Sequence, residues 1–412
     1  MYQAFLVLFL LPLAQSLGRS ASSPITALIQ SNNRYAFELY RALQTEDNLV
    51  FSPWSISTGV AMLYLGARNY TAREIESVLY QNDEGVSARE MMVAYGQLDR
   101  LMKRKSQLEL TKFNAAVVQQ GSQISETYRH RLFHYFNSVL YDLDMKENGK
   151  LVKDWINILA EIKTAGLIKN ILTRVPTEDS KLILLSGVHY KGQWVEKFDR
   201  EKTTNGNFYS HGNVATSAAL MLSTSNYTYH FSDADNLHVL RIPLEGRFAM
   251  VFVMPEENGT LKEVAQKLNP RLLQKLVEED AAPKMIKLVL PKFKLQIRKD
   301  LSEPLKEMGL TTLFSPVNSD LTGIEASGDL FLKDVVHQAT VEVNEEGVEA
   351  AAVTLLGVES RLGAPYIAFN RPFMFFIQDL DTRLILFMGH LNDCSEVCGV
   401  SNFVQQENQS LR

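Results

Sequence analysis

Between Pro24 and Asn392 nothing divides the sequence: there is no repeat, no low-complexity stretch and no Pro/Gly-rich linker. That continuity constrains the fold most, because every apolar segment in it must find cover within one body. We read a single domain over residues 24–393, followed by a tail at 394–412. Its early part reads as helical. Tyr35, Leu39 and Leu43, then Val60, Leu63 and Leu65, fit amphipathic or buried helices. Later segments read as strands. Phe248 to Met254 is apolar at every position and stops at Pro255, and Thr260-Leu261-Lys262-Glu263 has the form of a capping box opening a helix. Val289-Leu290, Val335-Val336, Val341 to Val343 and Leu384 to Met388 are further strand candidates. Helices first and strands later argue for an α+β fold.

Composition bears this out only in outline. A hydrophobic fraction of 46%, with 21 Phe and 15 Tyr, supplies a large core and excludes a disordered or fibrous chain. Forty-two Lys plus Arg stand against 47 Asp plus Glu, a formal charge of -5. Such a chain has no global reason to coat nucleic acid, so function must be sought locally.

The ends speak to the compartment. No charged side chain precedes Arg19, and Phe5 to Leu11 is unbroken apolar sequence followed by the small residues Ala14, Ser16 and Gly18. This reads as a cleaved secretory signal over residues 1–18, too short to span a bilayer. No later segment has the length of a membrane span, so a soluble, secreted monomer is expected. The two cysteines, Cys394 and Cys398, could close a small loop in an oxidising compartment. Sequons at Asn69, Asn226 and Asn258 agree with secretion, and one at Asn408 lies too near the end to weigh.

Catalytic patterns are missing. There is no G-x-S-x-G elbow, H-E-x-x-H, Walker loop or dinucleotide fingerprint, and the eight His are scattered. No metal or cofactor is called for. A hydrolase has only scattered Ser and His in its favour.

Several motifs stand in a telling order. They are Asn48-Leu49-Val50-Phe51-Ser52-Pro53-Trp54-Ser55-Ile56-Ser57, then Tyr190-Lys191-Gly192-Gln193-Trp194 with Phe198, Leu290-Pro291-Lys292-Phe293, and Leu321-Thr322-Gly323. Val343-Asn344-Glu345-Glu346-Gly347 leads into an Ala-rich stretch, followed by Phe369-Asn370-Arg371-Pro372-Phe373 and Leu386-Phe387-Met388-Gly389. Together they resemble the serpin family from about Asn33 to Asn392. The resemblance implies three β-sheets, about nine helices and an exposed reactive loop, here about residues 345–365. Inhibitory members are suicide substrates. The protease cleaves the loop, forms an acyl-enzyme and is carried across the molecule as the loop enters the central sheet.

The loop has the pattern such insertion needs. One face is Val348, Ala350, Ala352, Thr354, Leu356 and Val358, without charge or Pro; both acids, Glu349 and Glu359, fall on the other face with Ala351, Val353, Leu355 and Gly357. Gly347 supplies a hinge after Glu345. The family places the cleaved bond seventeen residues into the segment counted from Glu345, which is Arg361-Leu362. Arg361 is also the sole Arg or Lys between Gly347 and Pro365, so a trypsin-like serine protease with an acidic S1 pocket has one choice. From Glu345 to Arg361 an extended strand spans roughly 50 Å. A protease held there would be crushed against the far end of the sheet as a covalent complex.

Departures qualify the resemblance. Val348 stands where Thr or Ser is usual, and Ser186 where Asn is frequent, near Ser52, Ser55 and His337. These polar residues resemble the family's shutter cluster, with Trp194 at the neighbouring breach, and read as a buried hydrogen-bonded group rather than a catalytic pair. Asn69 replaces a frequent Gly, as Asn can where the backbone is left-handed. Arg100, Lys103, Arg104 and Lys105 are the densest basic cluster and resemble the helix that binds glycosaminoglycans in some members; as a helix C-terminus they equally complement the dipole. The reading is therefore an inhibitory serpin of a trypsin-like protease. Its rival is a non-inhibitory carrier, chaperone or storage serpin.

Overall fold

The structure, a computed structural model, describes residues 23–43, 45–80, 86–105, 109–279, 282–348 and 363–399. Helix α1 (Pro24–Leu43) buries Leu28, Tyr35 and Leu39. The short β1 (Leu49–Phe51) runs straight into α2 (Pro53–Tyr64), whose first turn is capped by Ser52. The Ser52 hydroxyl accepts from the Ser55 N–H at 3.2 Å, and Pro53 sits where its missing donor costs nothing. Every residue of α2 from Pro53 to Leu63 is buried, as an all-round apolar helix requires; Leu65 falls just beyond it as the C-cap. Then come α3 (Asn69–Leu79), α4 (Ala88–Lys105), β2 (Glu109–Gln119), α5 (Glu126–Phe136), β3 (Leu140–Leu143) and α6 (Met145–Lys163). Helix α6 is apolar on two sides. Val152, Ile156 and Ala160 are buried, whereas Leu151, Trp155, Ile158 and Ile162 form an exposed stripe.

Strands dominate the rest. They are β4 (Leu182–Gln193), β5 (Thr204–Ser210), β6 (Val214–Ser232), β7 (Leu237–Leu244) and β8 (Phe248–Pro255). After α7 (Leu261–Lys267) and α8 (Pro270–Glu278) follow β9 (Lys284–Pro291), β10 (Phe293–Asp300), α9 (Ser302–Glu307) and β11 (Leu332–Val343). Four strands remain: β12 (Gly347–Val348), β13 (Tyr366–Ala368), β14 (Phe373–Asp379) and β15 (Ile385–Leu391). Strand β8 is buried at all eight positions, which is why its sequence does not alternate. The capping box before α7 is formed from both sides, Thr260 Oγ1 accepting from the Glu263 N–H and Glu263 Oε2 from the Thr260 N–H.

Nine strands make one sheet in the order β1-β15-β14-β8-β7-β6-β9-β13, with β5 added on β6. Strand β6 changes partners along its length: residues 220–227 pair with β9 and 228–232 with β7. Counted in both halves, it yields two of the three sheets that the sequence resemblance implies.

The other sheet, six strands in the order β10-β11-β4-β2-β3 with β12 on β4, matters most. Its middle is a parallel pair: Leu332 to Thr340 of β11 lie beside Leu182 to His189 of β4. The flanking β10–β11 and β2–β4 pairs are antiparallel. Along β4, Leu182, Leu184, Val188 and Tyr190 belong to the main core, while Ile183 and Leu185 join a smaller core that includes Val152 and Ile156 of α6.

Candidate functional site

The chain leaves β11 at Val343 and reverses within the turn at residues 344–347. Asn344 and Gly347 exchange both backbone bonds, at 2.9 and 3.2 Å. Strand β12 then runs antiparallel to β4, Gly347 opposite Gln193 and Val348 opposite Gly192, beyond the point where β11 stops pairing with it. Glycine is required at 347 twice over. Its φ is 137°, and a Cβ there would meet Gly192 O at 2.4 Å and the Trp194 nitrogen at 2.6 Å.

The turn is clamped from several sides. Trp194, fully buried, donates its indole N–H to Asn344 O at 2.9 Å, and its backbone N–H reaches Glu346 O at 3.1 Å. The Phe198 N–H donates to Glu345 O. Both carboxylates of the turn are buried and ion-paired: Glu345 with Lys292 at 3.0 Å, Glu346 with Lys197 at 3.0 Å and Arg200 at 3.3 Å. Burial pushes the Glu345 carboxyl up, but its own backbone N–H, the Thr203 hydroxyl at 2.8 Å and Lys292 outweigh this and hold it below its ordinary value. Moving this turn therefore means breaking several short contacts at once.

Halfway down the sheet lies a second polar centre. Ser52 N–H donates to His337 Nε2 at 3.1 Å, which fixes that nitrogen as an acceptor and leaves the ring proton on Nδ1. Nδ1 is 3.0 Å from Ser186 Oγ. The Ser186 hydroxyl donates to Ser55 Oγ at 3.0 Å, and Ser55 in turn to Asn114 Oδ1 at 2.9 Å. Asn114 Nδ2 returns to Ser55 O at 3.2 Å. The chain of bonds thus joins α2, β4, β11 and β2 across the parallel seam. Asn114 was not legible in the sequence as part of this group; it lies directly opposite Ser186 in the β2–β4 register. It supplies from the next strand the amide that Ser186 lacks. Among the described residues no acid joins this series of bonds, which reads as a structural relay.

His337 cannot charge where it sits. Burial lowers its pKa to about 3, only partly opposed by the Ser186 contact, and a proton on Nε2 would face the Ser52 N–H. His390 is lowered to about 4, again by burial, while its Nε2–H donates to Asp47 O at 2.7 Å and Nδ1 accepts from Tyr40. Both folded values lie below the ordinary 6.5 of an unfolded His, so acid favours unfolding. Stability should be complete above about pH 6.5 and fall as pH drops toward 4, each ring costing about 2 kcal/mol at pH 5. Urea midpoints at pH 7 and pH 5 would test this. A His337→Gln variant should lose a large part of the drop, and an equal drop in that variant would show the relay uninvolved.

The remaining expected site residues are dispersed. Asn69 is left-handed, φ 48°, and its amide donates to Asp320 at 2.7 Å; Asn226 and Asn258 are exposed on β6 and before α7. Cys394 and Cys398 are disulfide-bonded and buried, and Ala219 N–H donates to Cys398 O, docking residues 394–399 on the domain. Arg100 is exposed on α4, where neighbouring Asp99 pairs with Lys112 of β2; the side chains of Lys103, Arg104 and Lys105 lie outside the described residues. So do residues 1–22, Asn408, Glu349 to Ala352 and the Arg361-Leu362 bond, and Val348 is described by its backbone alone.

Comparison with known proteins agrees with this architecture. Residues 30–394 match the family model described as serpin, serine protease inhibitor. Iripin-1 of Ixodes ricinus is 33% identical over 368 residues, covering 88% of this chain and 93% of the relative. Intracellular coagulation inhibitor 2 of Tachypleus tridentatus is 32% identical over 369 residues, 88% and 90% of the two chains. Among solved structures, human thyroxine-binding globulin complexed with thyroxine superposes with a TM-score of 0.82 at 26% identity, covering 90% of this chain and 100% of that one. This chain belongs to the serpin family, and its fold is the serpin fold.

Proposed function

We propose that this serpin is a secreted suicide-substrate inhibitor of trypsin-like serine proteases, cut at Arg361-Leu362 and trapping the acyl-enzyme by loop insertion. The observation that carries the reading is β12, which starts antiparallel on β4 beside a parallel seam. A strand continuing it would be antiparallel to both β4 and β11, replacing one parallel ladder by two antiparallel ones. Each step forward in the loop is a step back in β4. Ala350 would meet Tyr190, Ala352 Val188, Thr354 Ser186, Leu356 Leu184 and Val358 Leu182. Those β4 positions, Ser186 apart, line the main core, so the uncharged face of the loop would be the one buried there. Glu349 and Glu359, on the opposite face, would come opposite Lys191 and Lys181.

The leader-like residues 1–18, the three exposed sequons and the Cys394–Cys398 bond support export. The basic end of α4 carries the subsidiary proposal that a glycosaminoglycan binds at Arg100, Lys103, Arg104 and Lys105. The rival carrier reading shares this fold, as the match to a thyroxine complex illustrates. Mixing the protein with trypsin tests the proposal: a complex stable in SDS at about the summed mass is expected, and cleavage at Arg361 without any such complex would favour the carrier. Ala352→Glu sharpens the test. Its carboxylate would be buried against Val188 on the core face, at a cost of several kcal/mol. The variant should be cleaved as a substrate yet form little complex, and trapping equal to the parent would exclude insertion.

A further inference from the structure

Two of the eight histidines have no place in the mechanism above and are exposed together. His130 and His134 stand one turn apart on α5, their rings nearly parallel, 7° between planes and 6.3 Å between centroids. The others differ. His189, His230, His337 and His390 are buried, His238 is bound between Tyr229 and Glu256, and His211 pairs with Asn392 and Asp393. The α5 face opposite the pair is anchored: Tyr128, Leu132 and Phe136 are buried, and Tyr128 donates its hydroxyl to Met62 O of α2. Arg129 is held by Asp142 and by Leu140 O of β3. The helix is thus a rigid mount that holds two imidazoles side by side toward solvent.

We propose that His130 and His134 form a two-ligand site for a divalent transition ion of the Zn2+, Ni2+ or Cu2+ class. Imidazole nitrogen suits these ions and not Mg2+ or Ca2+. Two His at i and i+4 on one helix face can share a metal. With metal–nitrogen bonds of about 2.1 Å, the ring centroids need to approach by about 1 Å, which exposed side chains reach by small χ rotations. Among the described residues no group of three or more His, Cys, Asp or Glu converges. The remaining positions therefore fall to water, which makes this a surface clip of modest affinity rather than a closed structural centre. A bound ion would tie successive turns of α5 and stabilise the folded chain by an amount that grows with the logarithm of its concentration over Kd.

The test is a calorimetric titration of the full-length protein with ZnCl2, and separately NiCl2, at pH 7.5 in a non-chelating buffer. One ion per chain is expected, with His130→Ala and His134→Ala each weakening binding by about tenfold or more, because a lost ligand costs no less than a lost supporting contact. His211→Ala should bind like the parent, and MgCl2 should give no heat. Both α5 positions are exposed, so the variants should keep the parent's unfolding transition in the absence of metal. Absence of binding in the parent would overturn the proposal. So would binding undiminished in His134→Ala, or binding lost in His211→Ala.

Discussion

Arg361→Ala is expected to abolish inhibition of trypsin-like proteases while leaving the folded protein as it was. Arg361 would present the one guanidinium of the loop to an acidic S1 pocket. A pocket built to pair a charged group, left with a buried unmatched carboxylate, discriminates against the truncated partner by about 10^4-fold. The second-order rate of trypsin inhibition should fall by about that factor, with the urea midpoint unchanged. Undiminished inhibition would move the reactive bond elsewhere in residues 349–362. Inhibition regained against an elastase-like protease would instead strengthen the assignment, since a small side chain suits a small S1 site.

The second large effect concerns heat. A cut inside the loop should raise the thermal midpoint by about ten degrees or more, although a chain break ordinarily adds freedom and weakens a fold. The intact chain holds β4 and β11 in register over Leu182 to His189, and β12 supplies just two residues of the alternative. Once cut, the segment after Val348 can continue β12 and gain hydrogen bonds on both edges. Burying the isopropyl and isobutyl groups of Val348, Leu356 and Val358 adds on the order of several kcal/mol. Against this stands the work of separating Ser186 of β4 from His337 of β11 across the seam. Scanning calorimetry of nicked and intact protein decides the sign. A nicked form melting at or below the intact one would point to a loop that never enters, hence to the carrier.

Much of this was legible in the sequence where residue type and pattern act locally. The Thr260–Glu263 box and the buried run of β8 each follow from a few neighbouring residues, and the left-handed Asn69 from the family resemblance, in which Gly is frequent there. Glu345 and Gly347 could be named from a motif, but not their partners, because Lys292, Lys197 and Arg200 arrive from other strands and loops. Asn114 was missed for the same reason. Nothing in its own segment marks it, and its role exists only once β2 lies beside β4. The departure at Ser186 looked like a loss when read one position at a time; across the ladder it is a transfer of the amide to the adjacent strand. His130 and His134 were passed over as scattered histidines, since helical phase, not composition, puts them together.

The first and the last of the described strands pair with each other, and that has a bearing on how such a molecule can be made. Leu49 to Phe51 of β1 find their hydrogen-bond partners in Met388 to His390 of β15. Asn32 and Asn33 of α1 donate to Ile385 O and Arg383 O, and Asn48 to Asp393 O. A growing chain must therefore carry the pairing edge of its first strand, and the Asn32 and Asn33 amides of its first helix, without their mates until residues 383–390 have left the ribosome. Synthesis at about 5–20 residues per second leaves those groups waiting for tens of seconds, a window in which aggregation competes with folding. Chains ending before Ile385 would lack that closing strand altogether, so premature stop codons even this late should yield insoluble protein rather than a slightly shortened serpin.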